Sequence, residues 1–317
     1  MFSMRLSLVA AAMAASSVFA FSAAHAEDSF QSFSSINYQT QDQRNGNLDW
    51  FSLNSRYYFD ARTALGPLNE FDYINSISNL GVSYSYMKSE YDKVLVVDQD
   101  GTIVDFEASS KNQIIHVDGE WFIGNFLLGG GASYIDSSSS SNFMALSPSG
   151  VVTQSGHNSD DQDTYYRADL GYLITQNLII KASYHDINNF LSYTVSYNFD
   201  FNDSDYIGFS YNTDEDFDTH SLSTKYFANI STTSYLVLGA AYWYYGSSSV
   251  LDNDYWSIYS SYYFNKFSSV SASYGENDNY SVSVNHYFTD NFALGAFYSD
   301  QKDSNDENWG VNFTAQF

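Results

Sequence analysis

The sequence has no cysteine, only 2 prolines in 317 residues, and few bases, with 12 Lys and Arg against 37 Asp and Glu. The absence of cysteine suits export into an oxidising compartment. So few prolines leave long β-ladders uninterrupted. The net charge of −25 argues against nucleic acid as a partner, because phosphates repel an acidic surface. Beyond the first residues, no apolar run is long enough for a membrane helix, so any insertion into a membrane must use strands.

The abundant residue types indicate β-structure. The chain contains 29 Tyr and 25 Phe, and aromatic residues make up 19% of it. Aromatic and β-branched side chains suit a pleated, half-buried surface. A chain of this length could hold two average soluble domains or one large barrel, and the composition favours β-structure throughout.

The N-terminus has the three parts of a secretory signal peptide. Arg5 is followed by an apolar stretch over residues 6–21 and then by Ala24-His25-Ala26. We therefore predict a signal peptide over residues 1–26, cleaved after Ala26, and a β-barrel domain over 27–317. An uncleaved anchor helix is the alternative, although the apolar run is short for a span.

Period-two alternation of apolar residues predicts about sixteen strands of about ten residues, the pattern of a transmembrane antiparallel up-and-down barrel. In residues 191–199, the apolar positions are Leu191, Tyr193, Val195, Tyr197 and Phe199, and the positions between them are Ser, Thr, Ser and Asn. A soluble sandwich would alternate in the same way. A polar face of Ser, Asn, Thr and Gly with few Lys or Glu favours a wetted lumen.

The connections between these segments alternate between short turns, as at 175–177, and longer acidic ones, as at 276–278. Barrels have short periplasmic turns and longer outer loops, so the acidic connections are predicted to lie outside. Aromatic groups precede several of the predicted short turns and predict a girdle at the membrane interface. The groups are Tyr57-Tyr58-Phe59, Tyr197-Asn198-Phe199, Lys225-Tyr226-Phe227, Tyr262-Tyr263-Phe264 and His286-Tyr287-Phe288. Residues 61–78 are too long for an ordinary periplasmic turn and receive no assignment. Residues 93–97 and 102–106 are predicted to form an outer hairpin.

The last segment, residues 309–317, alternates up to a terminal Phe317. This ending resembles the signal by which the barrel assembly machinery recognises outer-membrane proteins. Together with the alternation and the Tyr-Phe groups, it gives the whole mature chain a resemblance to the general bacterial porins of gammaproteobacterial, Gram-negative outer membranes. The resemblance implies a sixteen-stranded, water-filled pore, often trimeric, whose third outer loop folds inward and narrows the lumen.

In this chain the corresponding loop is predicted over residues 136–163, where Asp160, Asp161 and Asp163 would bring negative charge to a constriction. Period two places eight charged or titratable side chains on the polar, pore-lining face. They are Arg56, His116, Asp118, Glu120, Arg167, Asp169, Lys181 and Lys225. Bases opposite the loop acids would create a transverse field that favours polar solutes. Alternatively, the loop stays outside and its acids are solvated.

His116, Asp118 and Glu120 share one strand face and could hold a metal or form an acid–base set, but lumen lining explains them more simply. We therefore expect no enzyme activity, no cofactor and no metal. The predicted function is passive diffusion of ions and small hydrophilic solutes across the cell outer membrane, with mild cation preference because acids outnumber bases. A structural or adhesive barrel with a closed lumen is the alternative. The expected partners are outer-membrane lipid, lipopolysaccharide, the barrel assembly machinery and, in a homotrimer, further copies of the chain.

Overall fold

The computed structural model describes residues 28–43, 45–91, 96–97, 103–150, 152–202, 205–246, 254–302 and 307–317. The predicted signal peptide therefore lies outside the described residues. The strands are β1 (Ser29–Gln43), β2 (Gly46–Thr63), β3 (Asn79–Tyr91), β4 (Val96–Val97), β5 (Ile103–Ile123), β6 (Phe126–Leu146), β7 (Val152–Thr175), β8 (Leu178–His185), β9 (Phe190–Asp200), β10 (Tyr206–Asp214), β11 (Thr219–Asn229), β12 (Tyr235–Tyr245), β13 (Tyr255–Asn265), β14 (Ser268–Gly275), β15 (Asn279–Thr289), β16 (Phe292–Gln301) and β17 (Glu307–Gln316).

These strands form one closed antiparallel barrel. Each strand pairs with the next along the chain, and β17 pairs with β1 from Phe33–Gln316 to Asp42–Glu307. The two-residue β4 prolongs β3 and pairs only with the outer end of β5. If β3 and β4 are counted as one strand, the barrel has sixteen strands, which confirms the predicted all-β barrel. The pairing of β4 with β5 agrees with the predicted outer hairpin, whose turn at 98–101 lies outside the described residues.

The two faces of the barrel wall differ as the alternation predicts. On the outside, apolar side chains lie open to the surroundings, such as Val284 and Leu294, which are 54% and 53% exposed. Tyr287, an odd number of positions along β15 from Val284, is only 4% exposed because it points inward. A wall that is apolar outside and polar inside suits a lipid exterior around a wetted interior.

Among the described residues, no helix is long and apolar enough to cross a bilayer.

Three neighbouring strands are the longest of the barrel. β5, β6 and β7 contain 21, 21 and 24 residues, whereas β8 to β17 contain 8–11 each. A tilted transmembrane strand needs about 9–11 residues, so roughly ten residues of each long strand extend beyond the membrane. At about 3.3 Å per residue, this extension is roughly 30 Å long.

The prediction of a loop over residues 136–163 is wrong, because this part of the chain forms the extension of β6 and β7. Asp136 pairs with Gln162, and the ladder continues outward to Leu146 and Val152. The turn lies only at the tip, where Gly150, with a φ of 82°, donates its N–H to the carbonyl of Ser147 over 2.9 Å. The serine-rich composition suggested a loop, but serine hydroxyls bond across the strands, as Ser139 and Ser159 do at 2.9 Å.

The opposite end of the barrel, predicted to be periplasmic, holds residue 28 and Phe317. The turns there are short, as at 176–177, 266–267 and 290–291, with one exception. Residues 61–63 complete β2, and residues 64–78, which we call the inward segment, enter the lumen before β3 begins. Within this segment, Pro67 and Leu68 are fully buried.

Candidate functional site

The interior of the barrel contains a cavity of about 690 Å³ with a strongly polar wall. Six of the eight predicted pore-lining residues border it. They are Arg56, His116, Asp118, Glu120, Arg167 and Lys181. Strands β2, β5, β7 and β8 carry these six side chains, so the charged wall covers one continuous side of the barrel.

At one edge of this wall, a base on β2 reaches across β3 to an acid on β5. Arg56 Nη2 contacts both carboxylate oxygens of Asp118, at 2.9 and 2.7 Å, and Arg56 Nη1 donates to the amide oxygen of Asn79. Hydrogen bonds between a guanidinium and both oxygens of a carboxylate are strong and geometrically specific. Asp118 has only 9% of its side chain exposed, whereas Arg56 has 34% exposed, so the acid is shielded from water and the base is partly open to it.

The other charged residues of the wall are also paired. Asn79 Nδ2 donates to Glu120 Oε2 at 3.3 Å, and Lys181 Nζ lies 3.8 Å from Glu120 Oε1. Arg167 Nε donates to Asp169 Oδ2 over 3.0 Å, and the Asp169 side chain is buried. The wall thus alternates donors and acceptors, which suits the passage of hydrated or hydrogen-bonding solutes.

Glycines make the long cross-strand contacts possible. A Cβ atom at Gly81 of β3 would lie 2.6 Å from Arg56 Nη2 and 2.8 Å from Asp118 Oδ1. A Cβ atom at Gly129 of β6 would lie 2.9 Å from Asp169 Oδ2. These distances are too short for real contacts, so the two glycines provide the space in which the charged groups meet.

His116 belongs to the same wall and is held by hydrogen bonding. Its Nδ1 lies 2.7 Å from Ser133 Oγ, and its Nε2 lies 3.5 Å from Asp118 Oδ1. Within the described ranges, no group of three or more His, Cys, Asp or Glu is arranged to hold a metal ion. The lining therefore consists of polar side chains that contact one another across strands, as Arg56 and Asp118 do, or along one strand, as Arg167 and Asp169 do.

Two predicted lining residues do not border the cavity: Asp169 is buried beside Arg167, and Lys225 lies away from this wall on β11. Its Nζ contacts Glu70 Oε2 of the inward segment at 2.5 Å, and Tyr263 donates to Glu70 Oε1 at 2.7 Å. Sequence reasoning missed Glu70 because residues 61–78 had no assignment. The sequence does contain one signal there, because the large apolar side chains of Leu65, Leu68 and Phe71 between two predicted strands imply burial.

The structure does not bring the predicted constriction acids to the lumen. Asp160 and Asp161 pair with Ser138 and Ser137 in the outer extension, and Asp163 pairs with Ile135. All three are exposed, and the cavity wall includes none of them. The structure therefore gives no support to the predicted transverse field between loop acids and wall bases, and each of the four bases is paired with a nearby acid.

Phe317 lies at the seam that closes the barrel. Its carbonyl accepts from the N–H groups of Gln31 and Ser32 at 2.6 and 2.8 Å, and its N–H donates to Ser32 at 2.8 Å. Its ring packs edge-on against Phe292 at a centroid distance of 5.6 Å. The terminal residue thus joins the last strand to the first one.

Comparisons with known proteins place the chain in a family. The family model described as "Putative general bacterial porin" matches residues 5–154 and 149–317. No curated protein matches the chain significantly.

Among solved structures, the Acinetobacter baumannii outer membrane protein Omp33 is 13% identical, with a TM-score of 0.47, over 91% of this chain and 99% of that one. Pseudomonas putida OprB, in its low-pH structure, is 8% identical, with a TM-score of 0.49, over 91% and 92%. The Ralstonia pickettii toluene transporter TbuX is 8% identical, with a TM-score of 0.49, over 91% and 90%. Because the family model covers nearly the whole sequence, the chain belongs to the general bacterial porin family of outer-membrane channels.

Proposed function

We propose that this porin allows passive diffusion of ions and small hydrophilic solutes across the outer membrane, with a modest preference for cations, and that it catalyses no reaction. The observation that carries the proposal is the cavity of about 690 Å³ inside a closed barrel, bordered by ion-paired and hydrogen-bonded side chains. Such a wall can replace part of the water around a polar solute, whereas an apolar solute gains nothing from it.

The cation preference has its source outside the charged wall. Within the lumen, the four bases Arg56, Arg167, Lys181 and Lys225 are matched by the four acids Asp118, Asp169, Glu120 and Glu70. These eight side chains sum to zero charge. The excess acids of the chain include Asp160, Asp161 and Asp163 on the outer extension, where negative charge raises the local cation concentration near the pore mouth.

Charge at a water-exposed mouth is screened by salt, and this property provides a test. The Debye length falls from about 10 Å at 0.1 M salt to about 3 Å at 1 M. In planar bilayers with a salt gradient, the reversal potential should show cation preference at low salt and much less of it at high salt. The triple variant Asp160→Asn, Asp161→Asn, Asp163→Asn should reduce the low-salt preference. Anion preference at low salt would contradict the proposal.

Diffusion itself is tested by swelling of liposomes that contain the refolded barrel, using uncharged sugars of increasing size. Swelling should be fast for the smallest sugars and fall with size, since pore width limits entry. Protein-free liposomes are the control. If a correctly folded barrel produces no swelling and no current, the lumen is closed, and the structural or adhesive function becomes the better account.

For the partners, we propose that the apolar outer face contacts outer-membrane lipid and lipopolysaccharide, and that Phe317 is read by the barrel assembly machinery. The position of Phe317 at the closing seam supports the second part, because the residue is needed where the barrel is completed. Assembly as a homotrimer stays a prediction from the family resemblance. Native mass measurement in mild detergent tests it.

A further inference from the structure

We propose that the inward segment, residues 64–78, is the constriction of this channel, and that Glu70 is the residue that fixes it in place. In this arrangement the solute path runs between the inward segment and the charged wall of β2 to β8. The inference rests on the proposed channel function and goes beyond it by naming the element that sets the pore width. It assigns the constriction to an element at the opposite end of the barrel from the outer hairpin, residues 136–163, where it was expected from the sequence.

The inward segment crosses the lumen. It leaves the wall after β2 and reaches Lys225 on β11 and Tyr263 on β13 before returning to β3. In the barrel order, β10 and β11 lie about half a circumference from β2. A connection between adjacent strands that contacts the opposite side must occupy the lumen.

Two apolar clusters anchor the segment. Leu68, with no exposed surface, packs with Phe30 of β1, Tyr287 of β15 and Ala293 of β16. Leu65 and Tyr73 pack against a second cluster of buried side chains, which consists of Tyr206, Phe227, Val237 and Tyr263. The segment thus packs on the inward-facing aromatic residues at the periplasmic end of the barrel. Burial of a Leu side chain such as that of Leu68 contributes about 1.5–3 kcal/mol to this packing.

The barrel wall is shaped to receive the segment. A Cβ atom at Gly208 of β10 would lie 2.5 Å from the Tyr73 ring, so the ring fits against bare backbone. Burial raises the pKa of the Tyr73 phenol, against an opposite effect of its hydrogen bond with Ser223. Within the segment, Gly66 has a φ of 128° and lies under the Tyr235 ring, a conformation that side chains other than glycine rarely adopt.

Backbone hydrogen bonds join the segment to the barrel and to itself. Leu68 donates its N–H to the carbonyl of Lys266 at 3.0 Å and accepts from Gln316 Nε2 at 3.2 Å. Leu65 and Glu70 close a turn, with the N–H of Leu65 donating to the Glu70 carbonyl at 2.8 Å. Because both main-chain groups of Leu68 are paired with the barrel, the segment is held at a defined height in the lumen.

Glu70 supplies the polar attachment on the far side. Its side chain is buried, and its two carboxylate oxygens contact Lys225 Nζ and Tyr263 Oη. Loss of one partner of such a pair leaves the other charge buried and uncompensated, which strongly destabilises the arrangement. Asp72, two residues away on the same segment, is exposed, which makes it a matched control position.

The free edge of the segment borders the solute path. Asn75 lines the cavity together with Arg56, Glu120 and Lys181. Its amide is held locally, since Nδ2 donates to the Ile77 carbonyl at 2.9 Å and Oδ1 accepts the Ile77 N–H at 3.2 Å. A solute in the cavity therefore passes between a fixed amide and the charged wall.

Charge reversal tests the role of Glu70. The variant Glu70→Lys places two cations together at Lys225 and should displace the segment, so single-channel conductance should rise about twofold. The double variant Glu70→Lys, Lys225→Glu restores the attraction and should return the conductance toward that of the wild type. Asp72→Lys makes the same charge change without breaking the pair and should leave the conductance near the wild-type value. Heat-modifiable mobility on gels shows that each barrel has folded.

The possible results separate this inference from the channel function. If wild-type protein conducts and Glu70→Lys conducts equally, the inference is wrong and the channel function stands. The inference is also wrong, and the channel function stands, if Asp72→Lys raises the conductance as much as Glu70→Lys does. If folded wild-type and variant barrels are all silent, the channel function fails. A silent wild type with a conducting Glu70→Lys variant supports the segment as the obstruction and contradicts free diffusion.

A second measurement uses the absence of cysteine from the chain. A bulky charged thiol reagent should reduce the conductance of an Asn75→Cys variant by about half, because this side chain lines the path. The matched control is Ser159→Cys, an exposed position of the outer extension on the same strand face as Arg167. A block at Ser159→Cys without an effect at Asn75→Cys would assign the constriction to the outer hairpin and overturn the inference.

Discussion

Removal of Arg56 should make the channel more selective for cations. In the variant Arg56→Gln, the Asp118 carboxylate loses the donor that contacts it at 2.7 and 2.9 Å. The eight paired lumen charges then sum to −1 instead of zero. The other Arg and Lys side chains of the wall cannot readily replace Arg56, because Arg167 and Lys181 are engaged with Asp169 and Glu120, which leaves His116 Nε2, 3.5 Å from Asp118 Oδ1, as the nearest basic group.

The size of the effect follows from Coulomb's law. A unit charge stabilises a passing cation by about 1 kcal/mol at 4 Å in water, and by about 0.5 kcal/mol at about 8 Å. These energies correspond to a roughly two- to fivefold rise in cation permeability, with a matching fall in anion permeability, because the same charge repels an anion. A drier lumen would increase the change, because the effective dielectric constant is then lower.

The assay is the reversal potential across a planar bilayer at moderate salt. Arg56→Gln should shift it in the cation-selective direction, and Asp118→Asn should shift it in the opposite one. Lys302→Gln is the control, because Lys302 lies in an outer turn and is 66% exposed, where salt screens its charge. If Arg56→Gln leaves the reversal potential unchanged, or changes it no more than Lys302→Gln, ions do not pass along the charged wall.

Three further predictions concern stability and assembly. Leu68→Ala should weaken the packing of the inward segment by about 2–5 kcal/mol, because Leu68 is fully buried, and faster proteolysis within residues 64–78 would show it. At Lys266, burial lowers the pKa but hydrogen bonds and charges from Asp28 and Asp290 raise it by more, so the net shift is upward. Its contribution is therefore complete below about pH 10 and is lost as pH rises through the raised folded-state pKa, so Lys266→Met should be less stable than wild type at pH 8 in urea unfolding, and the difference should shrink as the pH rises above that pKa. Phe317→Ser removes an aromatic pair worth about 0.5–1.5 kcal/mol, so the stability of the refolded barrel should fall only by about that amount. If the amount of assembled barrel in cells falls far more than this loss of stability explains, Phe317 is a recognition signal.

The barrel and its two faces could be predicted from the sequence because strand periodicity is a local property. Alternation such as that of residues 191–199 assigns each side chain to lipid or lumen without any knowledge of its neighbours. For the same reason Arg56, His116, Asp118, Glu120, Arg167 and Lys181 were expected to share the polar face, and in the structure these six side chains border one cavity.

The pairing within that cavity could not be predicted, since it depends on strand register. Arg56 meets Asp118 across β3 only because Gly81 leaves room between them. Opposed acids and bases were expected on different sides of the pore, whereas the structure places them side by side on one wall. Register is a non-local property, and one sequence carries little information about it.

Two segments show the limits of composition as a guide. Residues 136–163 are polar and rich in serine, which is typical of loops, yet backbone pairing with β5 and β7 continues through them. Residues 64–78, which received no assignment from the sequence, contain apolar side chains between two predicted strands. The interior surface on which Leu68 and Tyr73 pack is formed by distant strands that come together only when the barrel closes, so the sequence alone does not show it.

The central claim is that water-filled space runs through this barrel, and single-channel current recording tests it most directly. Refolded mature protein in a planar bilayer should produce discrete current steps of uniform size that increase linearly with voltage. A barrel that inserts and is folded, as judged by its heat-modifiable mobility, but never carries current would contradict the account.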